Sequence, residues 1–173
     1  MKVLLLMAMS ANGMIARENG EEDFLSHENW KTFLKLLRKH DCLIYGRKTY
    51  DAVKSWDAKY MKSLASSKKI IVSKNAQIKF GDECIIASSP EDALLKAKEN
   101  GFNKLLLSGG SLTNSAFMKA GLIDEIIFNI EPYVLGKGIS VFAENAFEAK
   151  LRLVKTRKLK SGIFQIHYDV RKN

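Results

Sequence analysis

Cysteine is scarce in this chain, and Cys42 and Cys84 each sit inside an apolar stretch with no second cysteine or histidine at ligand spacing. That excludes a disulfide framework and reads both as reduced core thiols. The histidines, His27, His40 and His167, are scattered, so no metal site is expected. Long hydrophobic runs are missing too: the stretch from Val3 to Met9 stops at Ser10 and Asn12, far short of the roughly 20 residues that cross a bilayer. No cleavage signal follows it, so a secretory leader is not expected and the reading is a cytoplasmic protein with no membrane partner. Repeats, linkers and low-complexity segments are absent as well.

What is present is a moderately apolar, basic chain. Its 173 residues, 46% hydrophobic, suit one domain over residues 1–173 with a core and a cleft beside it. The net charge of +9 comes from 28 basic and 19 acidic residues spread along the chain. No cluster alternates lysines with aromatics as a single-strand binding surface would, so no nucleic-acid partner is expected. Most of the charge reads as a solvated surface, and a smaller share is available to neutralise a phosphate-bearing ligand.

Hydrophobic patterning predicts alternating strands and helices. Val3 to Met9 has the unbroken apolar character of a central strand covered on both faces, followed by a Ser-Ala-Asn-Gly turn. Trp30, Phe33, Leu34 and Leu37 recur at helical spacing between Ser26 and Lys39, with Ser26 as N-cap. Cys42 to Tyr45 reads as a strand ending in Gly46, and Thr49 to Lys54 as a helical turn. Lys69 to Ser73 and Glu83 to Ala87 are further strands around a connection containing Gly81. Ser89-Pro90-Glu91-Asp92 supplies a cap, a proline at the first helical position and acids in the first turn of a helix ending near Gly101. Lys104 to Leu107 is a strand, Gly109-Gly110 a turn, and Ser111 to Ala120 a helix with Leu112, Ala116 and Phe117 on its apolar side. The last third holds a strand from Ile123 to Ile130, the loop Leu135 to Gly138, and a hairpin turning at Ser161-Gly162. The sum is an α/β fold: a mostly parallel sheet with helices on both faces and antiparallel strands at one C-terminal edge.

In such sheets ligands bind beyond the carboxyl ends of the strands. One loop there is Ser108-Gly109-Gly110-Ser111-Leu112-Thr113, where paired glycines admit a phosphate to the main chain and a helix start offers free amides, although paired glycines also make plain tight turns. Gly46-Arg47-Lys48-Thr49 adds a hydroxyl and two cations at another strand end, and Ser73-Lys74 a further pair. Together these loops favour a phosphorylated dinucleotide.

The segments MAMSANGMIA, LIYGRKTYDAV, KIIVSKN and LLLSGGSLTNSAFMKAGLIDEIIFNIEPYVLGKGISVF occur in an order that resembles the dihydrofolate reductase-like superfamily. Within it, AGLIDEI followed by EPYVLGKGISVF is similar to the C-terminal reductase domain of the riboflavin-biosynthesis deaminase/reductase and its stand-alone relatives. The resemblance implies the three-layer fold of that superfamily, NADPH as cofactor, a small-molecule substrate and a homodimer. It implies an NADPH-dependent reductase of a small heterocyclic or sugar-phosphate substrate, with 5-amino-6-(5-phosphoribosylamino)uracil reductase as the closest named activity. Dihydrofolate reductase-type activity, or a non-catalytic nucleotide-binding protein, is the alternative.

By the same resemblance, Ala8, Asn12, Gly13, Met14 and Ile15 lie against the nicotinamide end, and Gly46, Arg47, Lys48 and Thr49 serve the phosphates. Ser73 and Lys74 hold the adenosine side, while Ser108, Gly109, Gly110, Ser111, Leu112 and Thr113 cradle the pyrophosphate. Arg47 with Lys74 distinguishes NADPH from NADH. Glu28 falls where dihydrofolate reductases carry an active-site carboxylate, although an acid in a helix's first turn also simply complements the dipole. Asn129, Glu131 and Lys137 are candidate substrate contacts. The sequence departs from the riboflavin enzymes at Ser108, where they carry an acid, and at Ala11-Asn12-Gly13, where they read Leu-Asp-Gly. It departs from dihydrofolate reductases in lacking a proline-tryptophan pair before the helix and an arginine near Ser66, Ser67 and Lys68.

Overall fold

A computed structural model of the chain describes residues 1–75 and 84–171. The expected connection through Gly81, and Glu83 at the start of a predicted strand, lie outside the described residues.

Strand β1 (Lys2–Ser10) occupies the middle of the sheet. Its side chains alternate between the two faces, and both faces are covered, which is why the segment is apolar without a break. Val3 and Leu5 join one core with Ile44, Ile70, Leu105, Leu107, Ala93 and Phe117. Leu4 and Leu6 join the other with Leu43, Tyr45, Ile71, Leu106, Leu37, Val53 and Leu64. The first core is closed by α4 (Pro90–Glu99) and α5 (Ser111–Lys119). The second is closed by α1 (His27–Leu37), α2 (Arg47–Lys54) and α3 (Ala58–Leu64). A sheet thus lies between two helical layers.

The remaining strands of the sheet are β3 (Cys42–Gly46), β4 (Lys68–Val72), β5 (Cys84–Ala87), β6 (Lys104–Leu107), β7 (Glu125–Glu131), β9 (Lys150–Lys158) and β10 (Phe164–Arg171). Their order is β5-β4-β3-β6-β1-β7-β10-β9. Every pair from β5 to β7 is parallel, and β10 runs antiparallel to both β7 and β9. The expected mixed sheet is therefore the observed one. Because β10 runs back, Arg171 lies beside Lys2 and Glu125 at the edge where the parallel strands begin. The outer strand β9 is exposed along its whole length and carries Lys150, Arg152, Lys155, Arg157 and Lys158, cations of the kind that keep an open sheet edge from pairing with another chain.

Several local features differ from expectation. A small second sheet joins β2 (Met14–Ala16) to β8 (Ile139–Ser140). Helix α3 was not predicted, since Leu64 is its one buried residue and no apolar period marks it. Its cap is legible afterwards: Asp57 Oδ1 accepts from the Lys59 amide at 3.1 Å. Leu112 is 66% exposed rather than part of an apolar side. The buried side of α5 is instead partly polar, because Asn114 Nδ2 donates to the Val141 carbonyl at 2.8 Å and Ser115 Oγ to that of Ala143 at 2.8 Å. These bonds rotate the helix away from its hydrophobic pattern. Ser26 holds the N-cap position of α1 but makes no capping bond through its side chain.

Helix α4 follows its sequence signals closely, with Pro90 in the first turn and Ser89 Oγ accepting from the Asp92 amide at 3.2 Å. Ser89→Ala is expected to cost about 1 kcal/mol in thermal or denaturant unfolding. Cys42 is buried and Cys84 half-buried, and neither is in a disulfide. Burial pushes the Cys42 thiol up to about 12, so it stays protonated and unreactive. Among the described residues no helix is long and apolar enough to cross a membrane.

Candidate active site

Parallel strands deliver their carboxyl ends to one side, and the register shows which ends meet. Gly46 is opposite Val72, so Ser73 follows directly beyond it on β4. On the other flank the Ser108 amide donates to the Ile44 carbonyl at 2.9 Å and the Gly46 amide to the Gly109 carbonyl at 2.8 Å. The two glycine loops are in direct packing contact. A β-carbon on Gly46 would stand 2.2 Å from Thr113 Oγ1, and one on Gly110 would stand 2.9 Å from Thr49 Oγ1, so both positions need a residue without one. Gly109 has φ +87°, in the left-handed region that glycine enters freely.

Both helices that start here, α2 and α5, have glycine at the N-cap and no side-chain cap. Their first-turn amides and positive dipole ends therefore remain available, unlike those of α4, where Ser89 takes that role. Lys48 and Lys74 are exposed beside these starts. Arg47 is 39% exposed in its side chain and pairs with Asp51 at 2.6 Å, so it must exchange that partner to reach a ligand.

Next to this cradle lies a cleft of about 550 Å3. Ala8, Ile15, Thr49, Ser108 and Asn129, all candidates from the sequence, line it. Trp30, Phe33, Trp56 and Tyr60 form its aromatic part, with Trp30 stacked on Phe33 at 5.2 Å and edge-on to Tyr60 at 4.9 Å and to Trp56 at 5.9 Å. Glu22 also lines it. Protein atoms crowd water away from this carboxyl, although the residue keeps contact with solvent, and that desolvation pushes it up to about 7.

The other predicted residues lie off the cleft wall. Gly46, Gly109, Gly110, Ser111 and Thr113 form the loop contact described above, and Leu112 faces outward. Asn12 is engaged structurally: its Nδ2 donates to the Leu135 carbonyl at 2.7 Å and its Oδ1 accepts from the Leu135 amide at 3.1 Å. That clamp fixes Gly13 and Met14 against the later loop, where the Gly13 carbonyl accepts from the Val141 amide at 2.9 Å. Ser73 is buried and bonded to Asn75. Lys137 is exposed in its loop. Glu28 pairs with Lys31 at 3.8 Å at the start of α1, beside the cleft-lining His27 and Asn29. Glu131 is 2% exposed, and its Oε1 accepts from the Ser26 amide at 2.7 Å and from Asn29 Nδ2, tethering α1 to β7.

Sequence reasoning passed over Glu22, Ser26, Asn29, Trp56, Asp57 and Tyr60 as cleft residues. Only the aromatic density between Trp30 and Tyr60 hinted at them. At the opposite sheet edge, Glu125, His167 and Asp169 come within ligand reach of one another, but Lys2 already pairs with Glu125 and Arg152 with Asp169. That cluster is a satisfied ionic network.

A mixed sheet of this order, with its cleft at the strand ends, defines an α/β protein of the dihydrofolate reductase-like class. The chain belongs to the RibD C-terminal domain family, whose model matches residues 1–165. Among its relatives, the uncharacterized protein YyaP of Bacillus subtilis is 31% identical over 96% of this chain and 94% of its own length. A candidate riboflavin biosynthesis protein from Shewanella sp. PV-4 shares 25% identity with a TM-score of 0.83, covering 99% of this chain and 100% of that one. RibD of Acinetobacter baumannii has the same fold at 18% identity, with a TM-score of 0.78 over 98% of this chain and 58% of that one.

Proposed function

We propose that this protein is an NADPH-dependent reductase of a small heterocyclic substrate. The observation that carries the reading is the contact between the Gly46–Thr49 and Ser108–Thr113 loops, which brings two uncapped helix starts together beside exposed cations. Phosphate oxygens suit such a place, because backbone amides and helix dipoles both favour negative charge there. The residues present fit a phosphorylated dinucleotide: Gly109, Gly110 and Ser111 supply main chain without steric bulk, Thr49 a hydroxyl, and Arg47, Lys48 and Lys74 the countercharge. When bound, the reduced nicotinamide would supply a hydride. Ala8 and Ile15 then line the cleft on the side of the ring, and the aromatic part beyond them orients the substrate and excludes water. Reduction of a phosphoribosylamino-pyrimidine is the closest named reaction, and a dihydrofolate-type reduction the second reading.

Calorimetric titration with NADPH and NADH tests the proposal. NADPH is expected to bind at least tenfold more tightly, and the preference to vanish in the Arg47→Ala, Lys74→Ala double variant, because a charge-assisted bond is worth about 1.5–3 kcal/mol. Saturable binding of neither dinucleotide would sink the reading.

A further inference from the structure

We infer that the outer strand β9 presents a docking face for a nucleic-acid duplex, indifferent to base sequence and built from Lys150, Arg152, Lys155 and Arg157. The inference lies beyond the reductase reading and uses none of the cleft or loop residues.

The sequence of the strand conceals this face. In KLRLVKTRK, strict alternation would put Lys150 and Arg152 on one side of the sheet and Lys155 and Arg157 on the other. A bulge changes that count. Gln165, His167, Asp169 and Arg171 of β10 share one face, and opposite them stand Arg157, Lys155, Arg152 and Lys150. Val154 is the extra residue, at the register shift between His167 and Tyr168, and it brings all four cations of β9 to one side. Leu151, Leu153, Thr156 and Lys158 take the other. At two residues per step the row of cations runs for roughly 20 Å.

Its electrostatics are one-sided. Every residue of β9 is exposed. Arg152 is held by Asp169, whereas Lys150, Lys155 and Arg157 are in no ion pair among the described residues. The neighbouring carboxylate, Glu125, is already taken by Lys2 and His167, and Arg171, opposite Lys150, extends the positive surface. A polyanion laid along β9 therefore meets cations and no acid free to repel it.

The shape of the row selects among polyanions. It is one strand wide, which suits a line of charge better than the plane of a bilayer, and Leu151 and Leu153 lie on the opposite face, where they cannot insert beside the cations. A duplex carries one charge per roughly 1.7 Å of its axis, about twice what an extended all-acidic polypeptide offers at about 3.4 Å per residue. β9 and β10 place no Phe, Tyr or Trp on this face, so unstacked bases would find no platform, whereas a duplex offers its backbone alone. Pairing of β9 with a further strand is opposed by the bulge and, for a second copy of the chain, by cations set directly opposite cations.

Anisotropy of a fluorescein-labelled DNA duplex of about 20 base pairs, titrated with the full chain, tests the inference. Saturable binding is expected, weakening on the order of a hundredfold between about 50 and 200 mM salt, because neutralising four phosphates gives a logarithmic salt slope of about −3.6. Lys155→Gln with Arg157→Gln is expected to weaken binding at least tenfold at low salt and to reduce the slope by about two. Lys98→Gln with Lys119→Gln, an equal loss of charge on α4 and α5, is expected to leave the slope unchanged. All four residues are exposed, so both double variants should unfold at the parent's temperature. No saturable binding, equal losses in the two double variants, or tighter binding of the matching single strand, of poly-glutamate or of phosphatidylserine vesicles would each overturn the inference.

Discussion

Alanine at Gly46 is expected to destabilise the fold by about 1–3 kcal/mol and to weaken NADPH binding at least tenfold. The added methyl would stand 2.2 Å from Thr113 Oγ1, well inside contact distance, and Thr113 is itself buried on α5. Relief requires either that the buried Thr113 side chain turn out of its place or that the two loops part, and either disturbs the helix starts proposed to hold phosphate. A second substitution isolates the cause. Thr113→Ala removes the clashing hydroxyl, and the next nearest atom, Thr113 Cβ, lies at 3.5 Å, an ordinary contact. The double variant is therefore expected to recover most of the stability lost in Gly46→Ala, a coupling that a double-mutant cycle in denaturant measures directly. Additive losses in the two single variants would mean that the loops are not pressed together as described.

Removing the carboxyl of Glu131 is expected to cost about 3 kcal/mol, read from denaturant unfolding, because hydrogen bonds to a charged acceptor are each worth about 1.5–3 kcal/mol. Glu131→Ala would strand the Ser26 amide at the head of α1 and the amide of Asn29. Glu131→Gln keeps an acceptor oxygen and is expected to lose less than half as much. Since Asn29 and Ser26 both line the cleft, the alanine variant should also loosen the aromatic compartment and change the emission of Trp30. An alanine variant as stable as the parent would show that the tether contributes nothing.

How far the residues foretold this molecule depended on whether the relevant force acts locally. The run from Val3 to Met9 announces a doubly covered strand by itself, and Ser89-Pro90 announces a helix start, because burial on both faces and capping leave one-dimensional traces. Gly46 and the Gly109-Gly110 pair were also legible, since a tight approach of main chains demands glycine wherever it occurs. The carboxylates were not. Glu28 and Glu131 occupy positions where an acid often works on substrate, yet one is turned to Lys31 and the other clamps a helix. Glu22, in the connection before α1, looks like any solvated loop residue. Only the packing of distant segments gathers protein atoms around its carboxyl at the cleft, and no local pattern records that. The same holds for Leu112, whose exposure follows from the bonds of Asn114 and Ser115 to residues near Val141.

The reversal of β10 has a practical corollary. It brings Arg171 back beside Lys2, so the first and last described residues share one rim, and β1, at about 3.3 Å per residue, carries the chain roughly 20 Å from that rim to Ala8 in the cleft wall. Tethering the molecule to a sensor surface through a residue of that rim should therefore leave its working mouth turned outward and open to whatever is flowed across it.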